Sequence, residues 1–136
     1  MKLTIKLLSD LCTYSGDTYN SMVDTDVVYD ENGIPYIPAK RIKGCIREAA
    51  KEMADLGIGN SQIDEIFGKE GNQNSAFSLS NAYIENYSQV VETLQKCKYT
   101  GLKSPQNVLN RYTYMRTQTA VDPETGVAKE NSLRRI

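Results

Sequence analysis

The sequence predicts an α+β domain, the first part of a ferredoxin-like fold. Two segments alternate apolar and polar residues as strands do, and two others repeat apolar residues at helical spacing. Their order is strand, helix, strand, helix, which leaves a sheet incomplete. The chain has 136 residues, 40% hydrophobic and 24% charged, in keeping with one ordinary domain spanning 1–136. It stops at Leu133-Arg134-Arg135-Ile136 with no cap or polar terminus, so the domain is expected to be incomplete at its C-terminus.

Lys2 to Leu11 places Leu3, Ile5 and Leu7 on one face and adds Leu8 and Leu11, predicting a strand buried on both sides in mid-sheet. Thr13 to Asn20 is polar and turn-compatible, with Gly16 as its hinge. Between Ser9 and Glu31 stand six acids (Asp10, Asp17, Asp24, Asp26, Asp30, Glu31) and no base. Asp30-Glu31-Asn32-Gly33 is a turn signal that returns the chain to Pro35-Tyr36-Ile37-Pro38.

Pro35 and Pro38 forbid a helix before Pro38, and one can start after it. At about 100° per residue, Ile42, Cys45, Ile46, Ala49, Met53 and Leu56 share one side of that helix. Lys40, Lys43, Arg47 and Lys51 share the opposite side. Cations at a helix start suit an anion, and the first-turn N–H groups are expected to reinforce them. The plain reading is a solvated basic face. Gly44 costs about 1 kcal/mol against alanine in a helix, which suggests that a backbone or ligand comes close there.

Leu56-Gly57-Ile58-Gly59 ends the helix, and Ser61 can cap a short second one running through Phe67. After the loop Gly71 to Ser75, the stretch Ala76 to Glu85 alternates as a half-buried strand. Ser88 to Lys98 has Val90, Val91, Leu94 and Cys97 at helical spacing. Pro105 interrupts a polar connector, Arg111 to Ala120 reads as a strand, Asp122 to Gly126 as its turn, and Val127 onward as the return arm.

Composition removes several kinds of chemistry. Histidine is absent, which excludes serine-histidine and cysteine-histidine nucleophile systems and the commonest transition-metal ligand. Cys12, Cys45 and Cys97 are too widely spaced for a zinc knuckle and read as small core residues. The net charge of −1 leaves polyanion binding to local patches. No apolar run spans a bilayer and the start is not signal-like, so a cytoplasmic protein without membrane contact is expected. Asp24, in Val23-Asp24-Thr25-Asp26-Val27-Val28-Tyr29-Asp30, is either a turn carboxylate or a group that holds magnesium or polarises a hydroxyl beside a docked anion. Tyr112 and Tyr114 are same-face candidates for base stacking or for packing.

The ordered set Ser15-Gly16, Val23 to Asp30, Gly33-Ile34-Pro35-Tyr36-Ile37-Pro38, Ile42-Lys43-Gly44 with Arg47, Phe67-Gly68, Arg116-Thr117, Ala120-Val121-Asp122 and Thr125-Gly126-Val127-Ala128 resembles the RAMP superfamily of CRISPR-associated effector proteins. The family commonly has Gly-Ser-Ser where this chain has Ala39-Lys40-Arg41, so phosphate contact here is expected through charge. The resemblance implies an RRM-like ferredoxin fold that holds CRISPR guide RNA in a type III-like interference complex, with target RNA and other effector subunits as partners. It implies a hairpin over Ala120 to Ala128 that wedges between guide and target. It implies target-RNA cleavage at Asp24, with magnesium as the accompanying ion, and RNA contacts from Lys40, Arg41, Lys43, Gly44, Arg47, Arg116 and Lys129. A non-catalytic subunit gripping the 5′ handle of the guide, or a protein-interaction module of the same fold, are the alternatives.

Overall fold

The computed structural model describes residues 2–13, 27–59, 62–68 and 75–135. It mixes helix and strand in two compact units, one made of Met1–Tyr36 with Tyr83–Ile136 and the other of Ile37–Ala82. No described helix is long and apolar enough to cross a membrane.

In the first unit the chain turns where local chemistry dictates. Asp30 N donates to Ile34 O at 3.0 Å and Gly33 N to Asp30 O at 2.9 Å, closing the expected turn. Tyr29 and Pro35 bridge antiparallel across it. Gly33 sits at φ 81°, and a Cβ there would lie 2.0 Å from Pro105 O, so only glycine fits. That approach packs the turn on the helix α4 (Pro105–Leu109), and Ile34, Val108 and Leu109 form the buried core. Pro105 therefore starts a helix instead of interrupting a connector; at the first helical position its missing N–H costs nothing. The helix α3 runs Tyr87–Lys96, starting one residue and ending two residues earlier than its apolar spacing predicts.

The strand expectations fare differently. Residues 2–12 are exposed and carry no regular strand, with Leu8 90% exposed, so the buried mid-sheet strand is not what the structure shows. Only Thr13, at the end of that stretch, is buried; its carbonyl accepts Val28 N at 3.1 Å, and Tyr36 N donates to Val28 O at 3.1 Å. From Arg111 to Ala120 only β1 (Thr117–Gln118) is regular, paired antiparallel with β2 (Arg134–Arg135). The turn between them is where it is expected, closed by Gly126 N to Asp122 O at 2.8 Å and Asp122 N to Val127 O at 2.9 Å. Val121 and Ala128 bridge beside it. Asn131, at φ 56°, breaks the return arm. An alternating pattern states which side chains seek cover; a strand also needs a partner at the right register, which the pattern does not encode.

In the second unit the helix α1 runs Ala39–Asp55, with Pro38 extended at its N-cap. Its end is a Schellman motif: Gly57 N donates to Ala54 O at 2.9 Å and Ile58 N to Met53 O at 2.8 Å, with Gly57 at φ 73°. The short helix α2 (Ile63–Phe67) packs on α1. Ser61 lies outside the described residues, and Gln62 occupies the cap position, its side chain making no cap hydrogen bond. Of the expected strand from Ala76 to Glu85, one pair is made: Ile37 and Ala82 exchange both backbone bonds at 2.9 Å. Phe77 packs edge-on against Phe67 at 5.4 Å.

Candidate nucleic-acid interface

α1 buries a different stripe from the one its apolar residues mark. Its half-buried positions are Ala39, Ile42, Lys43, Ile46, Arg47, Ala50 and Ala54, a face turned roughly a quarter turn from the apolar stripe toward the basic one. Ile42 and Ile46 belong to both stripes. Cys45, Ala49, Met53 and Leu56 are left exposed, Met53 by 48% and Leu56 by 75%. Cys12 is exposed too and Cys97 half-buried, so the cysteines are not core residues.

The turn of the helix is explained by the partners that two cations find. Lys43 Nζ donates to Ser75 Oγ at 2.7 Å, and that hydroxyl donates on to Phe77 O at 3.0 Å. Arg47 Nη2 pairs with Asp64 Oδ1 at 2.8 Å, tying α1 to α2. Arg47 Nε is buried without a partner, so the guanidinium uses only part of its donor fork. Lys43 and Arg47 thus brace the unit, and the cations held outward on α1 are Lys40 and Arg41 in the first turn and Lys51 farther along.

The helix N-terminus offers less than expected. Ala39 N donates to Asn81 Oδ1 at 2.9 Å, and Arg41 N and Ile42 N donate to Pro38 O at 3.0 and 3.2 Å. Pro38 has no N–H, and of the three that the helix leaves open, at Ala39, Lys40 and Arg41, two are already used, so an anion at this end would be held chiefly by the Lys40 and Arg41 side chains. No acid stands in the first turn to oppose it. A Cβ at Gly44 would meet nothing within 4 Å, so no described segment of this chain accounts for the glycine.

The remaining candidates lie in the first unit. Arg116 Nη1 is 3.8 Å from Asp10 Oδ2, an exposed pair worth at most about 1 kcal/mol. The same carboxylate accepts the Tyr114 hydroxyl hydrogen, which pushes that phenol's pKa up, with Arg116 pulling weakly the other way. Lys129 is exposed on the return arm, its N–H donated to Ala120 O at 2.9 Å. Asp24 lies outside the described residues, as do Asp17 and Asp26. Among the described residues no group of three or more cysteine, aspartate or glutamate side chains is gathered to hold a metal ion.

Sequence reasoning missed one cluster. Tyr83 lies between Tyr36 (ring centroids 5.4 Å apart) and Tyr87 (4.5 Å), and the Tyr87 hydroxyl donates to Asp30 Oδ2 at 2.8 Å. The spacing of Tyr83 and Tyr87 gives no helical signal, because Tyr83 precedes α3, which starts at Tyr87.

A chain in the cryo-EM structure of the Type III-B Cmr-beta bound to cognate target RNA has a similar fold. The TM-score is 0.50 at 15% sequence identity, over 92% of this chain and 74% of that one. No curated protein matches the chain. A family model described as the RAMP superfamily matches residues 4–136. With nearly its whole length matched in this way, the chain belongs to the RAMP superfamily.

Proposed function

We propose that this chain is a guide-RNA-binding subunit of a type III-like CRISPR interference complex, working with target RNA and other effector subunits in the cytoplasm. The family match over residues 4–136 carries the reading. It is supported by the fold likeness to a chain of the Type III-B Cmr-beta complex bound to target RNA. We read residues 1–136 as a single RNA-binding domain of ferredoxin-like, RRM-like type.

Physical chemistry assigns the contacts unequally. Lys40 and Arg41 are exposed and unopposed by acid at the start of α1, and they meet phosphates by charge. Gly44 lets the RNA backbone approach the helix, consistent with the empty space at its missing Cβ. Arg116 and Lys129 add contacts from the other unit, while Lys43 and Arg47 reach RNA only by giving up Ser75 and Asp64.

Asp24 is the residue we assign to cleavage of target RNA; its carboxylate would orient a ribose 2′-hydroxyl, and magnesium is the ion implied for that step. The test is Asp24→Ala in the assembled complex. Loss of magnesium-dependent cutting with guide binding retained supports the assignment. Unchanged products indicate a non-catalytic subunit holding the guide's 5′ handle, and no salt-sensitive RNA binding at all would overturn the RNA reading.

A further inference from the structure

The tyrosine cluster of the first unit stands in a setting unlike the start of α1. Tyr36, Tyr83 and Tyr87 form a continuous row of tilted rings, with interplanar angles of 37° and 41°. The middle ring, Tyr83, keeps 43% of its surface in solvent although it touches both neighbours. Such a row is more than core packing requires, since an exposed tyrosine contributes little burial of its own.

The segments that supply the row carry charge of one sign. The two segments that supply it, residues 27–36 and 83–91, contain Asp30, Glu31 and Glu85 and no lysine or arginine. Glu31 and Glu85 are exposed. Asp30 accepts the Tyr87 hydroxyl with one carboxylate oxygen and the N–H groups of Asn32 (3.0 Å) and Ile34 (2.8 Å) with the other. Polyphosphate would be repelled from such a surface, whereas a cation would be drawn both to the carboxylates and to the electron-rich ring faces.

We infer that Tyr36, Tyr83 and Tyr87, with Asp30 bonded to Tyr87 and with Glu31 and Glu85 in the same two segments, form a seat for the guanidinium of an arginine presented by a basic segment of a partner protein. The exposed Tyr83 ring supplies a face on which a guanidinium stacks, and the carboxylates supply the opposite charge. This contact is separate from the RNA reading and stands without it. It gives the protein a face for a protein neighbour that its cationic helix does not provide.

The test titrates the purified chain with arginine amide and follows the tyrosine ring signals by NMR, with citrulline amide as the neutral isostere and adenosine monophosphate as the competing base. Ring shifts at Tyr36, Tyr83 and Tyr87 with arginine amide but not citrulline amide, diminished by salt, are expected. Tyr83→Leu should weaken the effect by roughly two- to fivefold, the worth of a cation–π contact at an exposed ring. Glu31→Gln with Glu85→Gln should weaken it as well, and both are surface changes that leave the fold intact. Shifts caused by adenosine monophosphate instead would assign the rings to a nucleobase and overturn the inference, as would the absence of shifts with either ligand. RNA affinity enters none of these readouts, so this contact and the RNA reading fail separately.

Discussion

The Tyr87 hydroxyl reaches across 57 positions of sequence to donate to Asp30 Oδ2 at 2.8 Å. One carboxylate thereby organises the turn at Asn32 and Ile34 and ties it to the first residue of α3. The same interaction pushes the Tyr87 phenol up to about 12, first through the hydrogen bond, then through burial and the neighbouring negative charges.

A pH dependence follows. With its folded pKa raised above the ordinary 10, Tyr87 contributes stability that is complete below about pH 10 and is lost as pH rises toward 12. Tyr87→Phe is expected to lower the melting temperature at neutral pH and to flatten the loss between pH 10 and 12. Thermal melts across that range check it, and a mutant curve parallel to the wild type would refute it.

Two glycines should respond in opposite directions. Gly33→Ala places a Cβ 2.0 Å from a backbone oxygen, at a φ that alone costs roughly 1–2 kcal/mol, so it should destabilise the chain by more than that. Gly44→Ala meets nothing within 4 Å and should stabilise α1 by about 1 kcal/mol. If the glycine exists to admit an RNA backbone, the same change weakens RNA binding. Denaturant melts paired with RNA titrations separate the two effects.

The cations of α1 should divide into two groups. Lys40→Glu with Arg41→Glu is expected to leave the melting temperature nearly unchanged. It should reduce the salt slope of RNA binding, by about 0.7 for each phosphate of a single strand that is no longer neutralised. Arg47→Ala is expected to loosen α2, at a cost of up to about 1 kcal/mol for a half-exposed pair. Reversing charge at Lys43 and Arg47 together would disturb that brace as well as any RNA binding. Equal weakening of affinity from both pairs, with no change in stability, would return Lys43 and Arg47 to the RNA surface.

What could be read in the sequence was what neighbours in sequence decide. Pro38 and Gly57 bound α1 because each acts on its own backbone, and the turns at Asp30 to Gly33 and Asp122 to Gly126 close on residues a few positions apart. Pro105 misleads because the same ring that breaks a helix interior is well suited to its first turn. The rotation of α1 is hidden, since its apolar stripe says nothing of Ser75 and Asp64, which lie far along the chain and draw two of the cations inward. The tyrosine row joins Tyr36 to Tyr83, a pairing that no local pattern encodes. Family likeness supplied Asp24, whose surroundings lie outside the described residues.

The arm built from β1 and β2 is uneven. Two residues separate Gln118 from Val121 on one side, while five separate Ala128 from Arg134 on the other, the surplus passing through Asn131. Because that surplus is odd, Ala128 and Arg135 project from the same surface of the ribbon despite standing seven apart. The shorter side fixes which way the outer half faces, since each partner on the longer side shares the face of the residue it pairs with. A one-residue change in length around Asn131 is therefore absorbed as a bulge, and relatives can vary there singly without reversing the ribbon.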